Sequence, residues 1–265
     1  MRSRIFMGVH LVCLVLASTA FPALAAPEIE EIVSRANHMA YYQGEDGKGR
    51  VDMTITDAQG RTRNKSQTIL RKNMDNRDRE QRFYIYFHRP SDERGTVFMV
   101  WKHVGKDDDR WLYLPALDVI KRIAASDERT SFVGSHFFYE DVSGRGVEED
   151  EHQLVETTDN YYVLKNIPKS PAEVEFDHYI MYIHKSTFLP VKAEYYRDGK
   201  KYREMNVLEV KEIQGKTTIT RQQMSDLDSG GHTVLEFRDI SYDIGLPDDI
   251  FTERHLRRAP REYLR

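Results

Sequence analysis

Between Arg82 and His88 the chain reads RFYIYFH. Side chains alternate along an extended strand, so Phe83, Ile85 and Phe87 fall on one face and Tyr84 and Tyr86 on the other. A strand that is apolar or aromatic on both faces has to be covered twice, which excludes a sheet with one face in water. The pattern returns where Val97, Met99 and Trp101 oppose Phe98 and Val100, and again from Tyr179 to Ile183. Cover can come from a sheet curling into a barrel, from a second segment folded over it, or from a ligand.

Further β segments are expected at Arg50–Thr56, Thr62–Arg71, Arg110–Leu114, Tyr161–Ile167 and Val191–Arg197, each bounded by turn residues. Asp198-Gly199, Gln214-Gly215 and Gly230-Gly231 bracket Lys201–Ile213, Lys216–Leu227 and His232–Tyr242, which reads as an antiparallel meander. Here Glu209, Lys211, Glu236 and Arg238 alternate with apolar neighbours and ask for cover on one face only. No residue-level repeat accompanies the spacing, which argues against a propeller or solenoid. One helix is expected near the front, from Pro27 to Gln43: Ile32, Val33, Ala36, Met39 and Ala40 recur at helical spacing, acidic residues occupy the first turns, and Gly44 stops it. That helix covers only part of the sheet. The polar stretch Ala124–Phe137 reads as a lid or loop over the mouth.

Arg2 and Arg4, the apolar run Ile5–Ala20 and the small-residue site Ala23-Leu24-Ala25 form the three parts of a cleavable export signal, so the mature chain is expected to begin at Ala26. As a membrane span the run is short and is interrupted by Pro22. The one cysteine, Cys13, lies inside it without the small residue that precedes a lipid-attachment cysteine. The exported part then has no disulfide or cysteine zinc site, and its stability depends on a core. The formal charge of −4 becomes −6 without Arg2 and Arg4, and nothing in it suggests affinity for nucleic acid. A charged fraction of 31% and a mean hydropathy of −0.64 argue against an integral membrane protein, whereas 11% aromatic residues suit sheets with apolar faces.

Several blocks are specific in combination: Glu80 to Phe87 (EQRFYIYF) with Pro90, Arg94-Gly95-Thr96, Trp111 to Leu117 (WLYLPAL), Arg122-Ile123, and Phe132 to Asp141 (FVGSHFFYED). In their order and spacing the chain resembles the LolA-like outer-membrane lipoprotein-sorting protein family over nearly its whole mature length. The resemblance implies a mainly β fold with few helices: a curved antiparallel sheet forming a half-open β-barrel whose concave face is closed by a helical lid, in a single domain over residues 26–265. It implies a periplasmic carrier of lipid, lipoprotein or other apolar cargo. Its partners would be an inner-membrane RND or MMPL-type exporter and an outer-membrane acceptor. Fold likeness alone leaves the cargo open. The chain departs from the family pattern at His136, where an acidic residue is expected after Gly134-Ser135. There a histidine either makes a polar clamp at the mouth sensitive to pH near neutrality or sits in a surface loop.

A carrier holds acyl chains in a dry cavity and keeps polar groups to its rim. Phe83, Phe87, Trp101, Trp111, Tyr113, Phe137 and Tyr139 are the candidate lining, with ordinary core packing as the alternative for each. Arg122, next to Lys121, is the candidate rim cation for a headgroup or lid, or else a structural partner of Asp127, Glu128, Glu140 or Asp141. Asp107-Asp108-Asp109 lacks the spacing of a calcium loop and reads as a solvated hairpin turn. His178 and His184 have no third ligand at a telling distance, and neither a metal nor a cofactor is expected. Ser135 is not in a Gly-x-Ser-x-Gly elbow, and Glu140-Asp141 on a strand would point to opposite faces. Two alternatives to a carrier remain: an adaptor that binds a membrane protein's periplasmic domain, and an envelope hydrolase using Ser135, His136 and Glu140.

Overall fold

The computed structural model of the chain describes residues 27–264, so the expected export signal over residues 1–25, with Cys13, lies outside the described residues. Thirteen strands form one antiparallel sheet. They are β1 (Asp46–Thr56), β2 (Thr62–Asn73), β3 (Gln81–Arg89), β4 (Val97–Lys102), β5 (Asp109–Leu114), β6 (Val119–Ile123), β7 (Asp150–Thr157), β8 (Tyr161–Pro168), β9 (His178–His184), β10 (Pro190–Arg197), β11 (Lys200–Ile213), β12 (Lys216–Asp226) and β13 (Gly231–Tyr242). The spatial order is β6-β5-β4-β3-β2-β1-β13-β12-β11-β10-β9-β8-β7. Each half is a meander, and the halves meet where β1 pairs with β13. The sheet does not close: β6 and β7 are its free edges, and residues 124–149 cross from one to the other. The meander turns at Asp198-Gly199 and Gln214-Gly215 have both residues at positive φ, as two-residue hairpins require.

The two-faced strands find their cover in two segments of the chain. On the inner face Phe83, Ile85, Phe87, Phe98 and Val100 pack with Val51, Met53 and Leu235 and against Phe132, Phe137 and Tyr139 of the crossover. On the outer face Tyr84, Val97, Met99 and Trp111 pack against the C-terminal segment through Leu246, Ile250, Phe251, Leu256 and Leu264. Trp101 donates its indole N–H to the Phe251 carbonyl at 2.7 Å, and the Tyr84 hydroxyl donates to the His255 carbonyl at 2.7 Å, so the polar edges of these aromatics are satisfied as they are buried.

The expected front helix is present but changes character. It is α-helical as α1 (Ile29–Asn37) and π-helical over His38–Tyr42. Its apolar stripe, with Ile32 and Ala36 fully covered, packs on Leu164, Ile183 and Phe188. Asn73 Nδ2 donates to the Tyr42 carbonyl at 3.1 Å and Gln81 Nε2 to the Tyr41 carbonyl at 2.7 Å. The helix body therefore rests on β8 and β9 while its end is held by β2 and β3, so one short helix spans both halves of the sheet.

Several local expectations are corrected. The crossover is not a purely polar flap, because Phe132 enters the core at 2% exposure. Glu140 and Asp141 lie on a helix, α2 (Tyr139–Ser143), not on a strand. Asp108 is not solvated: its carboxylate accepts from Arg110 at 2.8 Å and from the His103 backbone N–H at 2.9 Å. The edges β6 and β7 are not among the expected strands: β7 is largely exposed and polar, and β6, Val-Ile-Lys-Arg-Ile, is five residues long with two charges inside its aliphatic run.

Candidate functional site

Strands β6 and β7 share no hydrogen bonds, and the opening between them is spanned by ion pairs. Arg110 on β5, 3% exposed, reaches Asp108 at 2.8 Å and Glu128 at 2.7 Å. Arg129 continues the chain to Glu128, to Glu140 at 3.6 Å and to Glu175 at 3.2 Å. Arg145 takes it on to Glu140 at 3.1 Å, Glu149 at 2.7 Å and Asp150 at 3.1 Å. Asp150, at the start of β7, also accepts from the Tyr179 hydroxyl of β9 at 2.8 Å. Three guanidinium groups thus face six carboxylates in one network. The network runs from β5, the neighbour of the edge strand β6, through the crossover to the start of the edge strand β7, a reach that long charged side chains can make where no backbone ladder forms.

Helix α2 is held in this opening from both sides. Lys102, 3% exposed on β4, donates to the carbonyls of Ser143 at 2.7 Å and Gly144 at 2.8 Å, which satisfies the end of the helix with a cation. Burial lowers the pKa of that ammonium. Arg203 on β11 pairs with Asp141, donates to the His136 carbonyl at 3.2 Å and lies 3.8 Å over the Phe138 ring. Gly144 ends α2 at φ +77, and a Cβ there would stand 2.5 Å from the Tyr41 ring, so the crossover passes the π-helical turn at a distance only glycine permits.

Between these elements lies a cavity of about 110 Å³. Val33, Ala36 and Ala40 line it from the helix, and Leu164, Met181, Ile183 and Pro190 from the sheet. Tyr41, Tyr195, Tyr179, Asn166, Glu140 and Arg145 also line it, with Asp141 and His152 among the remaining polar groups of the wall. Along β9 the wall-forming residues are alternate ones, Ile183, Met181 and Tyr179, so over a strand length of about 13 Å the lining passes from aliphatic to polar.

Burial pushes the Glu140 carboxyl up to about 7. Arg145 and Arg129 oppose the rise, whereas Glu128 and Asp141 add to it. Burial also works against the charge of Arg145, but Asp150, Glu140 and Glu149 outweigh it and raise its pKa. The Tyr179 hydroxyl is raised well above its ordinary value, by burial first and then by Asp150.

The nine residues singled out from sequence divide among several places. Phe83, Phe87, Phe137 and Tyr139 come together in the inner-face cluster. Trp101, Trp111 and Tyr113 lie on the outer face with the C-terminal segment. The wall of the 110 Å³ cavity is formed by other residues. Arg122 on β6 is exposed, pairs with Asp109 and lies 5.4 Å from the centre of the Trp111 ring, so its carboxylate partner is none of the four expected. His136 is partly buried; its backbone N–H donates to Thr233 Oγ1 at 3.0 Å and its Nδ1 meets the same oxygen at 2.8 Å. Burial lowers its pKa, with His232, Arg203 and Arg63 reinforcing the effect and Asp226 opposing it. Ser135 Oγ accepts from the Phe137 N–H at 3.1 Å, and Glu140 engages Arg145, so Ser135, His136 and Glu140 each bond elsewhere and not to one another. Among the described residues no three histidine, aspartate or glutamate side chains come together in a group able to hold a metal ion. The cavity wall itself was legible only as the two-faced strand Tyr179–Ile183 and the apolar stripe of the front helix; Arg145 carried no signal.

A family model with the description "uncharacterized protein" matches residues 79–258. Among solved structures, a DUF1329 family protein from Desulfovibrio piger is 26% identical, covering 85% of this chain and 96% of its own, with a TM-score of 0.78. An outer membrane lipoprotein-sorting protein domain from Vibrio parahaemolyticus is 25% identical over 86% of this chain and 97% of its own, with a TM-score of 0.77. A LolA superfamily protein from Nitrosomonas europaea, 22% identical over 87% of this chain and all of its own at a TM-score of 0.67, shares the fold. No curated protein sequence matches the chain.

Proposed function

Because the chain belongs to the family of uncharacterized proteins whose model spans residues 79–258, and has the LolA-superfamily fold, we propose that it is a periplasmic carrier of lipid or lipidated cargo. In this reading residues 1–25 direct export and residues 26–265 act as one domain. An inner-membrane exporter of the RND or MMPL type delivers the cargo, and the outer membrane receives it. The observation that carries the proposal is the cavity between α1 and β8–β10, with aliphatic side chains on both walls and polar groups gathered at one end. That is the lining an amphiphile requires.

The cavity as it stands, about 110 Å³, is below the roughly 300 Å³ at which drug-sized ligands are held. Loading therefore moves one of its covers. Helix α1 is the cover to move, since it is short and rests on the sheet mainly through its apolar stripe, whereas the crossover is pinned by Lys102, Arg110 and Arg203. The inner-face cluster of Phe83, Phe87, Phe137 and Tyr139 is the surface next to which a longer chain would extend. Native mass spectrometry of protein recovered from its own envelope is expected to show lipid adducts. Protein that is recovered empty and takes up no fluorescent lipid would contradict the proposal.

A further inference from the structure

We propose that the cavity selects amphiphiles with an ammonium head, and that Glu140 is the residue that holds it; this rests on the carrier reading above. Four observations on the cavity wall lead there.

The first is the charge balance. The network behind the wall sets Arg110, Arg129 and Arg145 against Asp108, Glu128, Glu140, Glu149, Asp150 and Glu175. With the buried Lys102 counted beside the three arginines the carboxylates still lead by six to four, and although Glu149 and Glu175 are partly exposed such an excess attracts a cation and repels phosphate, sulfate or carboxylate.

The second is that the arginine at the wall is already committed. Arg145 serves three carboxylates, at 3.1, 2.7 and 3.1 Å, and Asp141, which also lines the cavity, is held by Arg203. An anionic head would have to displace a carboxylate from Arg145.

The third is the geometry of Glu140 itself. The residue is 9% exposed, and both guanidinium contacts made to it, from Arg145 at 3.1 Å and Arg129 at 3.6 Å, end on Oε1. Its second oxygen, Oε2, receives no hydrogen bond among the described residues, and the side chain lines the cavity. A carboxylate desolvated by burial gains most from a donor that also carries positive charge.

The fourth is the aromatic surround. The rings of Tyr41, Tyr179 and Tyr195 line the same cavity as Glu140, Tyr179 stacks on Tyr195 at 5.3 Å, and cations already stand by two of them, Lys102 at 5.4 Å from Tyr41 and Arg203 at 5.1 Å from Tyr195. Aromatic faces beside a carboxylate form a surface for an ammonium group, which has three donors and no acceptor.

The test is a head-group series on one twelve-carbon chain: dodecylamine, dodecyl maltoside and dodecyl sulfate, below their micellar concentrations, displacing a fluorescent acyl probe from the full chain. The amine is expected to bind about tenfold tighter than the maltoside, and the sulfate more weakly than either, the size of effect that one charge-assisted hydrogen bond supplies. Glu140→Gln keeps the shape and is expected to remove the preference for the amine over the maltoside, read as the ratio of the two affinities in the variant. Equal affinity for all three heads in the wild type, tighter binding of the sulfate, or an amine preference that survives Glu140→Gln overturns the assignment and leaves a carrier of unselective apolar cargo. Failure of every head to bind strikes at the carrier reading instead. The wild-type series decides the matter without any variant.

Discussion

Lys102 places its ammonium 2.7 Å from the carbonyl oxygen of Ser143, and so ties the end of β4 to the last turn of α2 in the middle of the crossover. The link is buried and local to the opening between the sheet edges. Replacing Lys102 by methionine keeps the aliphatic bulk and leaves the Ser143 and Gly144 carbonyls without a donor, at a cost of about 2–4 kcal/mol. Urea unfolding monitored by tyrosine and tryptophan fluorescence should show the lowered midpoint, and limited proteolysis should cut first within residues 124–149.

Arg145 is the one cation shared by Glu140, Glu149 and Asp150. Arg145→Leu leaves Glu149 and the buried Asp150 without a cation and Glu140 with Arg129 alone, and should destabilise the fold by about 3–5 kcal/mol. Adding Glu140→Gln to the same chain should recover part of the loss, because one buried charge then disappears. A double variant no more stable than the single one would show that Glu140 and Arg145 do not act as a pair.

The Glu140 carboxyl, at about 7 in the folded chain against 4.5 for the ordinary group, binds its proton more tightly when folded. Its contribution to stability is therefore fully present below pH 4.5 and is lost as pH rises through 7. The whole effect is roughly 3 kcal/mol. Other groups titrate over the same range, so the measurement is the difference in unfolding free energy between wild type and Glu140→Gln at pH 5 and at pH 8. The wild type should lose stability relative to the variant on going to pH 8; the opposite slope would mean that Arg145 and Arg129 outweigh burial.

Phe251, 2% exposed, seals the outer face over Tyr84 and Trp111. Phe251→Ala should cost about 3–5 kcal/mol. At a temperature where the variant is still folded it should take up lipid probe as the wild type does, since the outer face lies on the other side of the sheet from the cavity. A loss of uptake in folded protein would bring Trp101, Trp111 and Tyr113 back into the cargo surface.

Much of this architecture could be read from residues alone, for identifiable reasons. The alternation of Phe83, Ile85 and Phe87 with Tyr84 and Tyr86 required two covers, and the turn dipeptides at Asp198-Gly199 and Gln214-Gly215 marked hairpins by their need for positive φ. What supplies the covers was not legible. Leu246, Ile250, Phe251, Leu256 and Leu264 are scattered among polar residues and have meaning only once the chain returns to the sheet. The ion network was hidden for a related reason. Arg110 and Asp150 are 40 positions apart in sequence, and Arg145, among Gly144, Gly146 and a run of acidic residues, looks like a solvated loop. Burial turns those charges into structure, and burial is a tertiary property. The aromatic candidates drew attention because they are large; the cavity wall is built from smaller residues, Ala36, Ala40 and Val33, whose modest size leaves the space.

The central claim, that the space under the helix holds apolar cargo, is tested most directly by filling it. Ala40 lines the cavity, and Ala40→Trp places an indole where an acyl chain would lie. A fluorescent acyl probe titrated into both proteins should saturate the wild type and leave the variant dark, with both shown folded by their unfolding transitions. Equal binding by wild type and Ala40→Trp, or none by the wild type, would contradict the account.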